Sequence, residues 1–119
     1  MIVYGIKNCD TMKKAQKWLE ANAINFEFHD YRKQGISSEL VLVFAENLGW
    51  DTIINKRGTT YRNLSDEQKA VLTEAANQPE NAAQLLADNE AILKRPILLH
   101  DNTYHAGFKD TQYQAHFTL

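Results

Sequence analysis

The chain has 119 residues, a length that suits one domain with a real hydrophobic core. Its net charge of −2 argues against a broad surface for nucleic acid or an anionic membrane, and no apolar run approaches the length that spans a bilayer. The single cysteine excludes an internal disulfide, and because the N-terminus lacks a signal-peptide pattern we expect a cytoplasmic protein.

The first part of the chain predicts a strand, a helix and a second strand. Residues 1–4 form a continuous apolar run, which is typical of a strand buried on both faces. Residues 11–22 place apolar side chains at helical spacing. Residues 25–31 alternate apolar and polar side chains, which indicates a half-exposed edge strand. Together they predict a right-handed βαβ unit.

The middle of the chain predicts a block of helices with clear start and stop signals. Gly49 ends the first helix, the sequence SDEQ at residues 65–68 fits a capping box, and Pro79 suits the first turn of the last helix. The predicted elements are a loop at 32–36, a helix from Ser37 or Ser38 to about Asn47, a helical turn at 51–54, a loop at 55–61, and helices to about Asn77 and Asp88.

The last part of the chain predicts two strands and a helix. Residues 97–99 and 104–108 flank a turn, and Asp110 can cap the final helix. The element order is therefore βαβ, a helical block at about 37–89, then ββα. This order predicts an α/β fold, a four-stranded mixed sheet with the first strand and residues 97–100 inside it and antiparallel to each other.

Cys9 is the residue around which the chemistry is predicted, because it stands between the first strand and the first helix. The free N–H groups and the positive dipole end of that helix favour the thiolate, which is the reactive form. A helix terminus supplies only about 0.3–1 kcal/mol, and Asp10 acts in the opposite direction, so full activation requires further cations. The alternative, a small buried hydrophobic Cys9, fits poorly with its polar neighbours.

The whole chain resembles the arsenate reductase (ArsC) and Spx family, and most of all its YffB-like subgroup. The resemblance depends on three motifs taken jointly, namely CDTMKKA at residues 9–15, IINKRGTTYRNL at residues 53–64 and KRP at residues 94–96. It implies a thioredoxin-like fold with an inserted helical subdomain. On this basis residues 1–119 form a single domain, whose thioredoxin-like part takes about 1–36 and 90–119 and whose insertion takes about 37–89.

The resemblance also implies roles for three residues. Cys9 matches the nucleophile, Arg95 matches the arginine that lies beside it, and Pro96 matches the cis-proline of thioredoxin-like proteins. An arginine fork suits a carboxylate or an oxyanion. The alternative for Arg95 is an ordinary surface ion pair.

Other residues complete the predicted binding site for glutathione or substrate. Arg57 is a second candidate cation in a glycine-containing loop, Lys7 and Asn8 flank the thiol, and Thr11 could donate to the sulfur. Each could equally be a solvated turn or helix-start residue. We predict no metal, since the histidines lack metal-ligand spacing: these are His29, His100, His105 and His116.

Two departures from the family pattern affect the predicted activity. Glutathione-linked arsenate reductases present three arginines to the oxyanion, the first in an Arg-Lys-Asn stretch, which here reads NKR at residues 55–57. The third would fall near Gly107, where the sequence has no arginine. We therefore expect little or no arsenate reduction. Met12 replaces the second cysteine of the Spx-type Cys-x-x-Cys switch, so that disulfide cannot form.

These observations predict a glutathione-dependent thiol reductase with one nucleophilic cysteine. Without a second cysteine, an external thiol must complete the cycle, and glutathione is the abundant cytosolic choice. Glutathione is thus the expected co-substrate, with no bound cofactor, a small thiol or disulfide as substrate, glutaredoxin as a further candidate partner and a monomeric state. The alternative is an Spx-like regulator that binds RNA polymerase through its helical face.

Overall fold

The chain forms two compact units in a computed structural model that describes residues 1–117. The first unit comprises Met1–Tyr31 and Arg95–Leu119, and the second comprises Arg32–Lys94. In chain order the elements are β1 (Ile2–Gly5), α1 (Asp10–Ala21), β2 (Glu27–Asp30), α2 (Ser38–Leu48), α3 (Trp50–Ile53), α4 (Thr59–Arg62), α5 (Asp66–Thr73), α6 (Pro79–Asp88), a 3₁₀ turn (Glu90–Ile92), β3 (Ile97–His100), β4 (Thr103–Ala106) and α7 (Asp110–His116).

The first unit contains a four-stranded mixed sheet in the order β2-β1-β3-β4. Strand β1 pairs parallel with β2 and antiparallel with β3, and β3 pairs antiparallel with β4. The predicted sheet is confirmed, with β1 and β3 inside and β2 at an edge. Tyr4 fixes the register at the centre, where it lies opposite His29 on one side and Ile97 on the other.

One face of this sheet holds the core of the first unit. Val3 and Leu98, which are paired across β1 and β3, pack with buried side chains of α1 and α7. Each large apolar side chain buried in this way contributes about 1.5–3 kcal/mol. The cluster consists of Val3, Met12, Ala15, Leu19, Leu98 and Tyr113. It anchors α1 to the central strand, and with the helix it anchors Cys9, the residue directly before it.

The second unit is helical, and its predicted caps are confirmed. Ser37 Oγ accepts a hydrogen bond from Leu40 N at 3.1 Å and so caps α2. The capping box is complete at the start of α5, where Ser65 Oγ accepts from Gln68 N and Gln68 Oε1 accepts from Ser65 N. Pro79 is the first residue of α6, where its missing N–H costs nothing.

Three predicted helix features were wrong, and one connecting segment contains a short turn that the sequence did not indicate. Residues 59–61 are helical rather than a loop, because Arg62 N and Asn63 N close a short turn onto Gly58 and Thr59 carbonyls. Helix α5 ends at Thr73 instead of residue 77, since the next turns tighten to i−3 hydrogen bonds. The segment at 89–93 contains a 3₁₀ turn. Asp110 is the first residue of α7 rather than its cap, and its Oδ1 accepts from Thr111 N.

No helix within residues 1–117 is both long enough and apolar enough to cross a membrane.

Candidate active site

Cys9 is the N-cap residue of α1, at the end of the turn that follows β1. Its backbone is extended, with φ −123° and ψ 126°, and its carbonyl accepts the first helical hydrogen bond from Lys13 N at 3.0 Å. The side chain is partly exposed and packs against the core cluster. The thiol therefore stands at the positive end of the helix dipole, and it remains accessible from solvent.

The sulfur makes no capping hydrogen bond to the first turn of α1 within the described residues. The expectation that the thiol receives the free N–H groups is thus not met in this structure. Asp10 lies in that same first turn, where its negative charge opposes a thiolate. Activation of Cys9 beyond the dipole must therefore come from a cation.

Met12 occupies the position three residues after Cys9, and it is 1% exposed. Its side chain belongs to the core cluster of α1 and the sheet. This position faces inward because Met12, Ala15 and Leu19 share the buried stripe of the helix. A packing residue therefore takes the place of a resolving cysteine.

The Arg95-Pro96 peptide bond is cis, as predicted. Pro96 is buried, and its carbonyl accepts a hydrogen bond from Gly107 N at 2.8 Å. Because Ile97 pairs with Tyr4 in antiparallel register, Pro96 stands level with Gly5, the last residue of β1, and Arg95 extends past it. This is the edge from which the turn to Cys9 begins, so the topology brings Arg95, Pro96 and that turn to one edge of the sheet.

Arg95 is half-buried, and its Nε atom is fully buried. Its charge acts on Tyr31, which is 2% exposed. Burial raises the pKa of the Tyr31 phenol far above its ordinary value, Tyr4 raises it further, and the Arg95 charge lowers it. The Arg95 charge therefore lies near enough to the Tyr31 phenol to act on it electrostatically.

The remaining predicted residues of the first unit surround the turn. Lys7 and Asn8 are exposed, while Thr11 is half-buried in the first turn of α1. Exposed side chains at a turn are available to a ligand without a conformational change. Their predicted part in binding stays a prediction.

Arg57 belongs to the second unit, where it lines a cleft of about 500 Å³. Lys56 and Lys94 line the same cleft and face a single carboxylate, Asp51. The net positive lining favours an anionic ligand. The backbone brings Lys94 there, since Lys94 N donates to the carbonyl of Ile53 at 2.8 Å.

Sequence reasoning missed Lys56 and Lys94 as members of this cleft. The signals available were the adjacent cations in NKR at 55–57 and KRP at 94–96. An isolated bridge between Ile54 and Leu93 joins the two segments, and no local pattern indicates such a pairing.

Three histidines also lie together, although the sequence pattern indicated no shared role. The rings of His105 and His116 stack at a centroid distance of 3.7 Å. Burial lowers the pKa of both side chains, and His100 lowers each of them further. His105 lies on β4, His116 on α7 and His100 on β3, so the stacked pair reports on the packing of α7.

The chain resembles known proteins at the levels of family, sequence and structure. The model of the ArsC family matches residues 4–116. A protein of Haemophilus influenzae is 44% identical over 115 residues, which cover 97% of this chain and 96% of that protein. The global transcriptional regulator Spx of Streptococcus agalactiae is 26% identical over 111 residues, covering 91% and 76% respectively.

Two solved structures resemble the whole chain. A protein named YffB has a TM-score of 0.84 and 40% identity, with 96% of each chain covered. An arsenate reductase (ArsC) related protein from Brucella melitensis has a TM-score of 0.72 and 39% identity, covering 99% of this chain and 94% of that one. These matches confirm the α/β fold with its thioredoxin-like mixed sheet.

Proposed function

Because the chain belongs to the ArsC family, we propose that it is a glutathione-dependent thiol reductase whose nucleophile is Cys9. The family is one of thiol oxidoreductase-like proteins, and relatives of this chain are described as arsenate reductase related and as Spx. The observation that carries the proposal is the position of Cys9. It is a partly exposed thiol at a helix N-terminus, on the sheet edge that also holds Arg95.

The proposed cycle consists of three thiol–disulfide exchanges. The Cys9 thiolate attacks one sulfur of a substrate disulfide, which forms a Cys9 mixed disulfide and releases a thiolate that takes up a proton from solvent. One glutathione thiolate attacks the Cys9 sulfur of this adduct, which frees the second substrate thiol and leaves Cys9 glutathionylated. A second glutathione then restores the Cys9 thiolate and leaves as oxidised glutathione. One disulfide and two glutathiones thus give two thiols and oxidised glutathione.

Arg95 and Pro96 have separate parts in this proposal. The Arg95 guanidinium stabilises the Cys9 thiolate and binds a carboxylate of glutathione, because its planar fork matches a carboxylate with two parallel hydrogen bonds. Pro96 presents backbone at the edge of the site. Lys7, Asn8 and Thr11 contact the bound peptide around the turn.

Arg57 is proposed to bind glutathione through the cationic cleft of the second unit. Glutathione has two carboxylates, and the cleft has three cations against one carboxylate. Because the Arg57 side chain is exposed, its contribution is smaller than that of a buried ion pair. Glutaredoxin, as the next thiol donor, is the proposed macromolecular partner.

The proposal is tested by intact-mass spectrometry after incubation with oxidised glutathione. We expect wild type to gain one glutathionyl group, Cys9→Ser to gain none, and Arg95→Ala to react several-fold more slowly at neutral pH. Arg95→Lys is the matched control, because it keeps the positive charge and loses only the planar guanidinium that makes two parallel hydrogen bonds. A wild-type protein that takes up no glutathione would contradict the proposed function.

A regulator that binds RNA polymerase is the second candidate, favoured by the 26% identity to Spx. Met12 argues against a redox-switched version, because a core residue occupies the second switch position. Capture of polymerase subunits on immobilised protein, compared between wild type and Cys9→Ser, distinguishes the two. Stoichiometric polymerase binding that is independent of Cys9 would favour the regulator.

A further inference from the structure

We propose that Tyr31 positions the guanidinium group of Arg95 and thereby sets the reactivity of Cys9. The positioning involves two side chains of the first unit and depends only on the fold. The effect on Cys9 rests on the proposed thiol chemistry. Tyr31 is a positioning residue, since it acts through Arg95 rather than on the reacting sulfur.

Sheet topology places the two residues on either side of the end of β1. Tyr31 directly follows β2, and its N–H donates to the carbonyl of Gly5 at 2.8 Å. Arg95 stands two residues before Ile97, which pairs with Tyr4. Since β2 and β3 flank β1, Tyr31 and Arg95 extend past the same edge of the sheet from the two neighbouring strands.

The side chain of Tyr31 lies on the sheet face opposite to the core cluster. His29 pairs with Tyr4, and their rings lie 5.1 Å apart. Tyr31 comes two residues after His29, and its ring lies 6.5 Å from the His29 ring, so it continues the same face. Ile97 faces this side as the partner of Tyr4, whereas Val3 and Leu98 face α1 and α7.

The distance between the flanking strands suits contact between the two side chains. Two neighbouring strand spacings place β2 and β3 about 10 Å apart, which a tyrosine and an arginine reaching toward each other can span. The Arg95 Nε atom is buried, so this part of the guanidinium is enclosed rather than solvated. Burial raises the pKa of the Tyr31 phenol and has the larger effect, while the Arg95 charge lowers that pKa.

A phenol is suited to holding an activating cation. A carboxylate at position 31 would pair with Arg95 and cancel the charge that Cys9 requires. A tyrosine phenol is neutral at physiological pH, since its ordinary pKa is about 10, and burial raises the pKa of Tyr31 further. Its oxygen accepts a hydrogen bond from a guanidinium N–H, so it orders the side chain and leaves the positive charge intact.

The first test is the Tyr31→Phe variant, which keeps the ring and removes only the hydroxyl. We expect alkylation of Cys9 by iodoacetamide at pH 7 to slow by about three- to tenfold, the effect of losing one hydrogen bond of ordinary net strength. The midpoint of the pH–rate profile should move to higher pH. In an Arg95→Ala background the same substitution should change neither quantity.

Tyr113→Phe is the matched control, because Tyr113 is the other fully buried tyrosine of the sheet unit and is 0% exposed. It lies in the core cluster with α1, on the sheet face opposite to the one that Tyr31 continues. We expect its alkylation profile to match wild type. Equal effects of Tyr31→Phe and Tyr113→Phe would indicate general loosening and would overturn the positioning role.

A second readout does not depend on the thiol. The ¹H–¹⁵N signal of Arg95 Nε should exchange slowly in wild type, since this atom is buried, and faster in Tyr31→Phe. If Tyr31→Phe does not fold, the ¹³Cζ resonance of Tyr31 serves instead. It should shift in Arg95→Ala while that of Tyr113 stays unchanged.

The outcomes separate the inference from the proposed function. An inert Cys9 together with a Tyr31-dependent Arg95 signal would contradict the thiol chemistry and leave the positioning intact. A reactive Cys9 whose pH profile and Arg95 signal are both unchanged by Tyr31→Phe would overturn the positioning and leave the proposed function intact.

Discussion

A Cβ atom on Gly5 would overlap Met12 Sδ and lie 2.7 Å from Met12 Cε. The last residue of β1 and the first buried side chain of α1 are therefore packed with no room for a methyl group. This contact sets how closely the helix that begins at Cys9 lies on the central strand. A methyl group at position 5 would therefore require the Met12 side chain to move, and close approach rather than a left-handed φ favours glycine here.

Gly5→Ala should lower the free energy of unfolding by about 1–3 kcal/mol, as overpacking of a well-packed core does. Met12→Ala should itself cost about 2–5 kcal/mol, but in that background Gly5→Ala should cost much less. Urea unfolding of the four proteins measures this coupling. Gly58→Ala is the control, because its nearest neighbour, Asn55 Nδ2, would lie at an ordinary 3.6 Å. Additive effects of the two core substitutions would contradict the contact.

The stacked rings of His105 and His116 predict a pH dependence of stability. Burial lowers the pKa of both in the folded state, and neighbouring histidines lower them further. In the unfolded chain the pKa is about 6.5, so the unfolded state binds more protons as the pH falls. The stabilisation is therefore fully present above about pH 6.5 and declines as the pH falls through the lower, folded-state pKa values.

Urea unfolding between about pH 5 and 8 measures the slope of the free energy of unfolding against pH, because that range includes the unfolded-state pKa of histidine. Replacing both residues, His105→Gln with His116→Gln, should flatten it, whereas His29→Gln, which lies outside the stacked pair, should retain it. Asp101 must not be substituted in these variants, because its carboxylate lies 3.4 Å from Nε2 of His100. His100 in turn lowers the pKa of both stacked histidines. A double variant with the wild-type slope would show that the pair is not the source.

Arg57→Ala should raise the KM for glutathione by about two- to fivefold with little change in kcat, because an exposed ion pair contributes no more than about 1 kcal/mol. Arg57→Lys should restore most of the affinity. Lys69→Ala serves as the control, since Lys69 is a cation of the second unit that lies over the Tyr61 ring and outside the cleft. Steady-state kinetics with a disulfide substrate provide both constants. Equal KM values for wild type and Arg57→Ala would remove Arg57 from the binding site.

Arsenate should be reduced weakly or not at all, even with glutathione and glutaredoxin present. Each charge-assisted hydrogen bond contributes about 1.5–3 kcal/mol, so the loss of one or two of three arginines costs roughly one to four decades. Arsenate-dependent oxidation of glutathione measures the activity. Gly107→Arg should not restore it, because φ at Gly107 is +79° and a side chain there is strained. Efficient turnover by the purified protein would contradict this prediction.

Local signals in the sequence determined most of the elements and the place of the proposed nucleophile. The capping box at Ser65 and the proline at position 79 set helix starts, because caps satisfy N–H groups within a few residues of themselves. The alternation in β2 identified an edge strand. The position of Cys9 between a strand and a helix was equally local. The short helix α4 was missed because its turn depends on hydrogen bonds that no periodic apolar stripe marks.

Only the tertiary structure decided which distant side chains meet. Tyr31 and Arg95 lie at one edge because β2 and β3 both pair with β1, and Lys94 joins Arg57 because residues 54 and 93 form a bridge. His105 and His116 stack through the packing of α7 on the sheet unit. A sequence pattern encodes a residue's own preference for a face or a cap. Strand register and helix packing, which bring residues dozens of positions apart into contact, are set by the whole core at once.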